Sequence, residues 1–142
     1  MSTEHVLKQF SLTDQVAIVT GGGQGLGREM ALALSEVGAN IVIAARRTES
    51  AFSTKKEIES NNVKCRVIKT DIRNESDVIS MANQVMDEFG RIDILVNNAG
   101  IWRGDDAEKV TSEDWREVID VNLTGAESSQ VSCVLLAQTA RA

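Results

Sequence analysis

Residues 16–27 read VAIVTGGGQGLG, and this stretch decides the fold. Val16 to Val19 form an unbroken apolar run, and Thr20 passes it to a segment in which Gly21, Gly22, Gly23, Gly25 and Gly27 predominate. A strand that must reverse within a few residues needs positive φ and close backbone approach, and glycine alone supplies both freely. From Arg28 to Val37 the pattern becomes helical: Met30, Leu34 and Val37 lie beside Ala31 and Ala33, and Gly38 is the expected stop. The first N–H groups of such a helix are unpaired and its positive dipole end faces the loop, so a phosphate diester is the expected partner. The glycine spacing is Gly-x-x-x-Gly-x-Gly through Gly21, Gly25 and Gly27. A P-loop is excluded, because Gly22 and Gly27 are followed by Arg28 and Glu29 where Lys and Ser/Thr are required.

Working outward, further strand-like runs occur at Ile41 to Ala45, Val63 to Lys69 and Ile92 to Val96, separated by helical stretches. This βα alternation predicts an α/β fold, a Rossmann-like doubly wound parallel sheet of about four strands, incomplete, in one domain over residues 1–142. Three of the strands are nearly continuous apolar runs, as helices on both faces would require, whereas the half-polar third strand belongs nearer an edge. The second helix, from about Ser50 to Ser60, is polar with Phe52 and Ile58 as a narrow buried stripe. The third, from about Glu75 to Phe89, aligns Val78, Met81, Val85 and Phe89 on one face and closes at Gly90. Thr111 and Asp114 resemble a capping box that opens a helix carrying Trp115, Val118, Ile119 and Val121.

The net charge of -6, with no basic run longer than Arg46 and Arg47, excludes the electrostatic footprint of a nucleic-acid or anionic-membrane binder. Cys65 and Cys133 fit no metal or redox spacing and read as small buried hydrophobes. His5 is the only histidine, which removes Ser-His-Asp catalysis and histidine-based zinc sites, and no metal is expected. The N-terminus has no apolar leader and no run is long enough to span a bilayer, so a cytoplasmic protein is the expectation. Residues 1–12 read as a flexible N-terminal segment.

In order along the chain, Thr20 to Gly27 resemble the Thr-Gly-x-x-x-Gly-x-Gly cofactor motif of the short-chain dehydrogenase/reductases. Asn97, Asn98, Ala99 and Gly100 resemble their Asn-Asn-Ala-Gly motif. Asp120, Val121, Asn122 and Leu123 resemble the segment holding their catalytic-site asparagine, and Asp71 with Ile72 resemble their adenine-contacting pair after the third strand. The resemblance covers about residues 11–125. It implies a nicotinamide dinucleotide as cofactor and a small carbonyl or alcohol substrate. The cofactor would be held by Thr20, Gly21, Gly23, Gln24, Gly25, Leu26 and Gly27 at the turn, by Asp71 and Ile72, and by Asn98, Ala99 and Gly100; Asn122 would serve a catalytic proton relay.

The physical reading agrees, since ligands of open parallel sheets sit beyond the carboxyl ends of the strands, where Gly21, Ala45, Asp71 and Asn97 all fall. An NAD site usually carries an acid about twenty residues after the glycines, whereas a 2′-phosphate calls for arginine. Here Ala44 and Ala45 are followed by Arg46 and Arg47, so NADP(H) is favoured over NAD(H).

The family's catalysis also uses a Ser, and a Tyr with a Lys four residues on. This chain has no tyrosine, and residues 126–142 form an atypical C-terminal end. Two readings stay open: a truncated NADP(H)-dependent oxidoreductase of this type, inactive alone, or a non-catalytic module that binds the dinucleotide or pairs with a homologue. An unpartnered fourth strand predicts self-association, as a homo-oligomer or by aggregation.

Overall fold

The computed structural model describes residues 8–139 except 105 and 107. The N-terminal segment expected over residues 1–12, His5 included, lies outside the described residues up to residue 7, as do the last three residues of the expected C-terminal end.

Four strands alternate with helices in the order β1 (Val16–Thr20), α1 (Gly25–Glu36), β2 (Asn40–Ala45), α2 (Glu49–Glu59), β3 (Cys65–Lys69), α3 (Glu75–Phe89), β4 (Ile94–Val96), α4 (Ser112–Ile119) and α5 (Gly125–Thr139). A π-helical segment, Asp120–Thr124, joins the last two helices. The strands form one parallel sheet in the order β3-β2-β1-β4, with Val16 opposite Asn40, Ala17 opposite Ile94 and Ile41 opposite Cys65. The half-polar third strand is an edge, as its composition predicts.

The continuous apolar strands are explained by two cores, because successive residues of a strand point to opposite faces. Val16, Ile18, Val42 and Ala44 pack with Val78, Met81 and Val85 of α3 and with Cys133 of α5 on one face. Ala17, Val19, Ile41 and Ile43 pack with Ala31 of α1 and with Ala51 and Ile58 of α2 on the other.

Local signals set the boundaries. Asn74 caps α3 by accepting the Ser76 N–H, and Gly90 ends it at φ +74. Thr111 and Asp114 form the reciprocal capping box at α4. Two helical faces differ from the pattern expected. In α1 the buried line is Gly27, Ala31 and Ser35, while Val37 is exposed, because small residues bring this helix close to the sheet. In α2 Phe52 points to solvent, and Ala51, Thr54 and Ile58 are buried. Helix α1 also begins at Gly25 rather than Arg28: Gly25 makes the turn at φ +53, so the glycines themselves open the helix.

Candidate dinucleotide site

The carboxyl ends of all four strands border one cleft of about 540 Å³, within the size range of small-molecule sites. It lies where the chain leaves β1 toward one side of the sheet and β4 has been added on the other, the reversal at which doubly wound sheets bind ligands. Gly21, Gly23, Gln24, Gly25, Leu26 and Gly27 line it from the glycine turn, Arg46 and Arg47 from the end of β2, and Asp71 and Ile72 from the end of β3. Asn98, Ala99 and Gly100 line it beyond β4.

Thr20 lies behind this surface, not on it. The residue is 1% exposed, and its hydroxyl donates to the Val96 carbonyl at 3.2 Å and accepts the N–H groups of Asn98 and Ala99, both at 3.0 Å. Asn98 completes the brace by donating its amide to the carbonyls of Thr20 (2.9 Å) and Gly21 (3.4 Å). The two motifs that are far apart in sequence are thus stapled to each other across the β1–β4 seam. Packing at the staple leaves no room for side chains: a Cβ on Gly27 would stand 2.3 Å from the Asn98 Nδ2 and 2.5 Å from the Gly21 carbonyl oxygen.

The turn has the character of an anion cradle. Helix α1 has neither a side-chain cap nor an acid in its first turn, in contrast to α3 and α4. A Cβ on Gly25 would meet no heavy atom of the described residues within 4 Å, so this stretch opens onto the cleft. Exposed N–H groups at a helix N-terminus, a concave backbone and two arginines beside it fit a phosphate-bearing ligand.

Asp71 is not a free carboxylate. Arg73 donates its Nε to Asp71 Oδ1 at 3.0 Å and its backbone N–H at 3.1 Å. The guanidinium hydrogen bonds, opposed by partial burial and helped by the charge of Arg46, hold the Asp71 carboxyl below the usual range. Arg73 continues to Glu117 of α4 at 3.7 Å, and Glu117 pairs with Arg103 at 2.9 Å. The loops after β3 and β4 are therefore tied through α4.

Asn122 sits in the π-helical segment, one residue from Val121 on the cleft wall. Its Oδ1 accepts the Ile101 N–H at 2.8 Å and its Nδ2 donates to the Ile101 carbonyl at 2.9 Å. Both faces of the amide hold the segment that follows Gly100, and the segment lies close enough that a Cβ on Gly100 would be 3.3 Å from Asn122 Oδ1. Sequence reasoning did not identify Glu49, Ser50, Thr70, Arg73 and Ile101 as cleft residues. Arg73 alone carried a readable signal, a cation two residues from an acid at a strand end.

A parallel sheet in this order with a glycine cradle at its first strand end defines a Rossmann-like nucleotide-binding domain. The short chain dehydrogenase family model matches residues 15–135, and the chain belongs to that family. The match continues ten residues beyond the similarity expected from the motifs, into α5. A 3-oxoacyl-[acyl-carrier-protein] reductase of Synechocystis is 40% identical over 116 residues, which cover 81% of this chain and 47% of the relative. A short-chain type dehydrogenase/reductase from Mycobacterium marinum superposes with a TM-score of 0.89 at 32% identity, over 96% of this chain and 54% of that one. An NAD+-bound xylitol dehydrogenase does so with a TM-score of 0.84 at 29% identity, over 89% and 49%. The chain spans about half the length of the relatives it matches. Among the described residues no helix is long and apolar enough to cross a membrane, and no group of His, Cys, Asp and Glu is placed to hold a metal.

Proposed function

We propose that residues 1–142 form a single NAD(P)-binding Rossmann domain, the dinucleotide-binding part of an NADP(H)-dependent oxidoreductase acting on a carbonyl or alcohol. The observation that carries the cofactor choice is the pair Arg46 and Arg47 lining the cleft directly after β2. The next acid along the chain, Glu49, begins α2, where its charge complements the helix N-terminus. A guanidinium offers a 2′-phosphate a planar fork of donors, whereas an acid at the strand end would favour the 2′-hydroxyl of NAD. In this reading the glycine turn takes the pyrophosphate, Asp71 and Ile72 flank the adenine, and Asn98 to Gly100 border the nicotinamide end. A bound dinucleotide would supply the hydride to a carbonyl or accept it from an alcohol; the residues here would hold and orient it.

Titration by NADPH fluorescence tests the assignment. NADPH is expected to bind more tightly than NADH, and Arg46→Ala to bring the two together; equal affinities that Arg46→Ala leaves unchanged refute it.

A second reading is a non-catalytic module that binds the dinucleotide or pairs with a homologue; these 142 residues contain no tyrosine. A phenol near pKa 10, tuned by a neighbouring ammonium, is the family's proton donor. The 142-residue polypeptide is therefore expected to bind NADPH without reducing carbonyls. Steady NADPH oxidation by the pure chain, lost in Asn122→Ala, contradicts this.

A further inference from the structure

We infer that Thr54 is a positioning residue for the phosphate cradle: its buried hydroxyl fixes the peptide between Gly23 and Gln24 so that the Gln24 N–H faces the dinucleotide. The inference rests on the dinucleotide reading above.

Thr54 lies on α2, outside the glycine motif, and is 1% exposed. Its hydroxyl donates to the Gly23 carbonyl at 3.1 Å in a buried contact, and shares that hydrogen with Ser50 of its own helix at 3.3 Å. A threonine inside a helix satisfies itself by the carbonyl four residues back alone. The reach across to Gly23 is therefore an additional and nonlocal bond. Its effect follows from peptide geometry. The carbonyl of Gly23 and the N–H of Gln24 belong to one planar trans unit and point in opposite directions. When Thr54 draws the carbonyl toward α2, the N–H is turned away from α2, toward the cleft that Gln24 lines. That N–H donates to no acceptor among the described residues.

The bond adds to the restraint that the neighbouring residues place on this peptide. Glycine leaves the ψ of Gly23 free, whereas a full reversal would carry Gln24, extended at φ −161 with no side-chain cap, to positive φ, so Thr54 sets the peptide within the range that Gln24 allows. A reversed peptide would present a carbonyl oxygen to a phosphate. The close approach of α2 to the turn, with a Gly23 Cβ position only 3.0 Å from the Ala51 nitrogen, keeps the Thr54 hydroxyl within reach.

The test measures NADPH and adenosine 2′-monophosphate dissociation constants for the chain and for Thr54→Val and Thr54→Ser, below their melting temperatures. The monophosphate reaches the arginine end and has no pyrophosphate. Thr54→Val is expected to weaken NADPH about threefold to tenfold, the worth of one hydrogen bond to an anionic ligand's cradle. It should leave the monophosphate within about twofold, and Thr54→Ser should restore NADPH. Unchanged NADPH affinity in Thr54→Val, an equal loss for both ligands, or no restoration by serine overturns the inference. If Thr54→Val does not fold, Thr54→Cys against Thr54→Ser makes the same comparison, because a thiol is a weak donor of similar size. Failure of the unmodified chain to bind NADPH refutes the dinucleotide reading itself, and the inference with it.

Discussion

Gly27→Ala sets two forces against each other whose sum has a definite sign. Gly27 is the third residue of α1, so helix propensity alone favours alanine, by up to about 1 kcal/mol. Sterics oppose it. The new Cβ would lie 2.3 Å from Asn98 Nδ2 and 2.5 Å from the Gly21 carbonyl oxygen, and an ordinary contact of about 3.5 Å requires a shift of about 1 Å. Neither neighbour can withdraw cheaply. The Asn98 amide is bound to the Thr20 carbonyl, and Gly21 is held by its N–H on the Ala44 carbonyl at 2.8 Å. Overpacking costs about 1–3 kcal/mol, and loss of the Asn98 brace adds about 1 kcal/mol for each hydrogen bond broken. Net destabilisation is about 1–4 kcal/mol, or about 3–12 °C in Tm for a chain of this size.

The control is Gly90→Ala, at φ +74 with no heavy atom of the described residues within 4 Å of the added Cβ. It carries only left-handed strain of about 1–2 kcal/mol, far from the cleft. Thermal melts followed by circular dichroism, with NADPH titration below the melting range, separate the two. Gly27→Ala should weaken NADPH at least tenfold, because the displaced groups form the turn, and Gly90→Ala should not change it. A Gly27→Ala chain that melts at or above the unmodified temperature would show that propensity wins, and the steric reading of the staple would be refuted.

Two further outcomes follow from charge and burial. The Asp71 carboxyl is depressed below its ordinary value, so its stabilising effect is complete above the unfolded-state value near pH ~3.9 and is lost as pH falls through the lower folded value. The melting difference between the unmodified chain and Arg73→Met should therefore be constant near neutrality and shrink below about pH 4; a difference of the same size at pH 6 and pH 3 would contradict the pairing. Burial pushes the Cys65 thiol up to about 12 and the Cys133 thiol up to about 11, so iodoacetamide at pH 8 should leave both unmodified in the native chain and alkylate both in guanidinium, and rapid native labelling of either would refute their burial.

What the sequence makes legible here is whatever one local segment decides. The run Val16 to Val19 can only be buried on both faces, and Gly90 or Thr111 ends or opens a helix through groups within four residues of itself. The edge position of β3 is likewise prefigured, since Arg66 and Lys69 suit an exposed strand, whereas the order of the other strands is not. The face of α1 is legible in part: its small residues predict close approach to the sheet, but the hydrophobic pattern does not show that Gly27, Ala31 and Ser35 form the buried line.

The bonding partners that the sequence does not name share one physical property. Thr54 to Gly23, Asn122 to Ile101 and Asn98 to Thr20 are each a side chain satisfying the backbone of a distant segment. Such bonds leave no periodicity, because any threonine or asparagine within a helix or loop looks alike until the fold brings a carbonyl to it. Yet these bonds orient the peptide groups around the cleft, and the cradle consists of peptide groups rather than side chains. The glycines make the cradle sterically possible; the polar side chains behind it select one backbone orientation among those that glycine allows. A glycine motif transplanted without its Thr54 and Asn98 partners should therefore keep its shape only part of the time and bind a phosphate correspondingly less well.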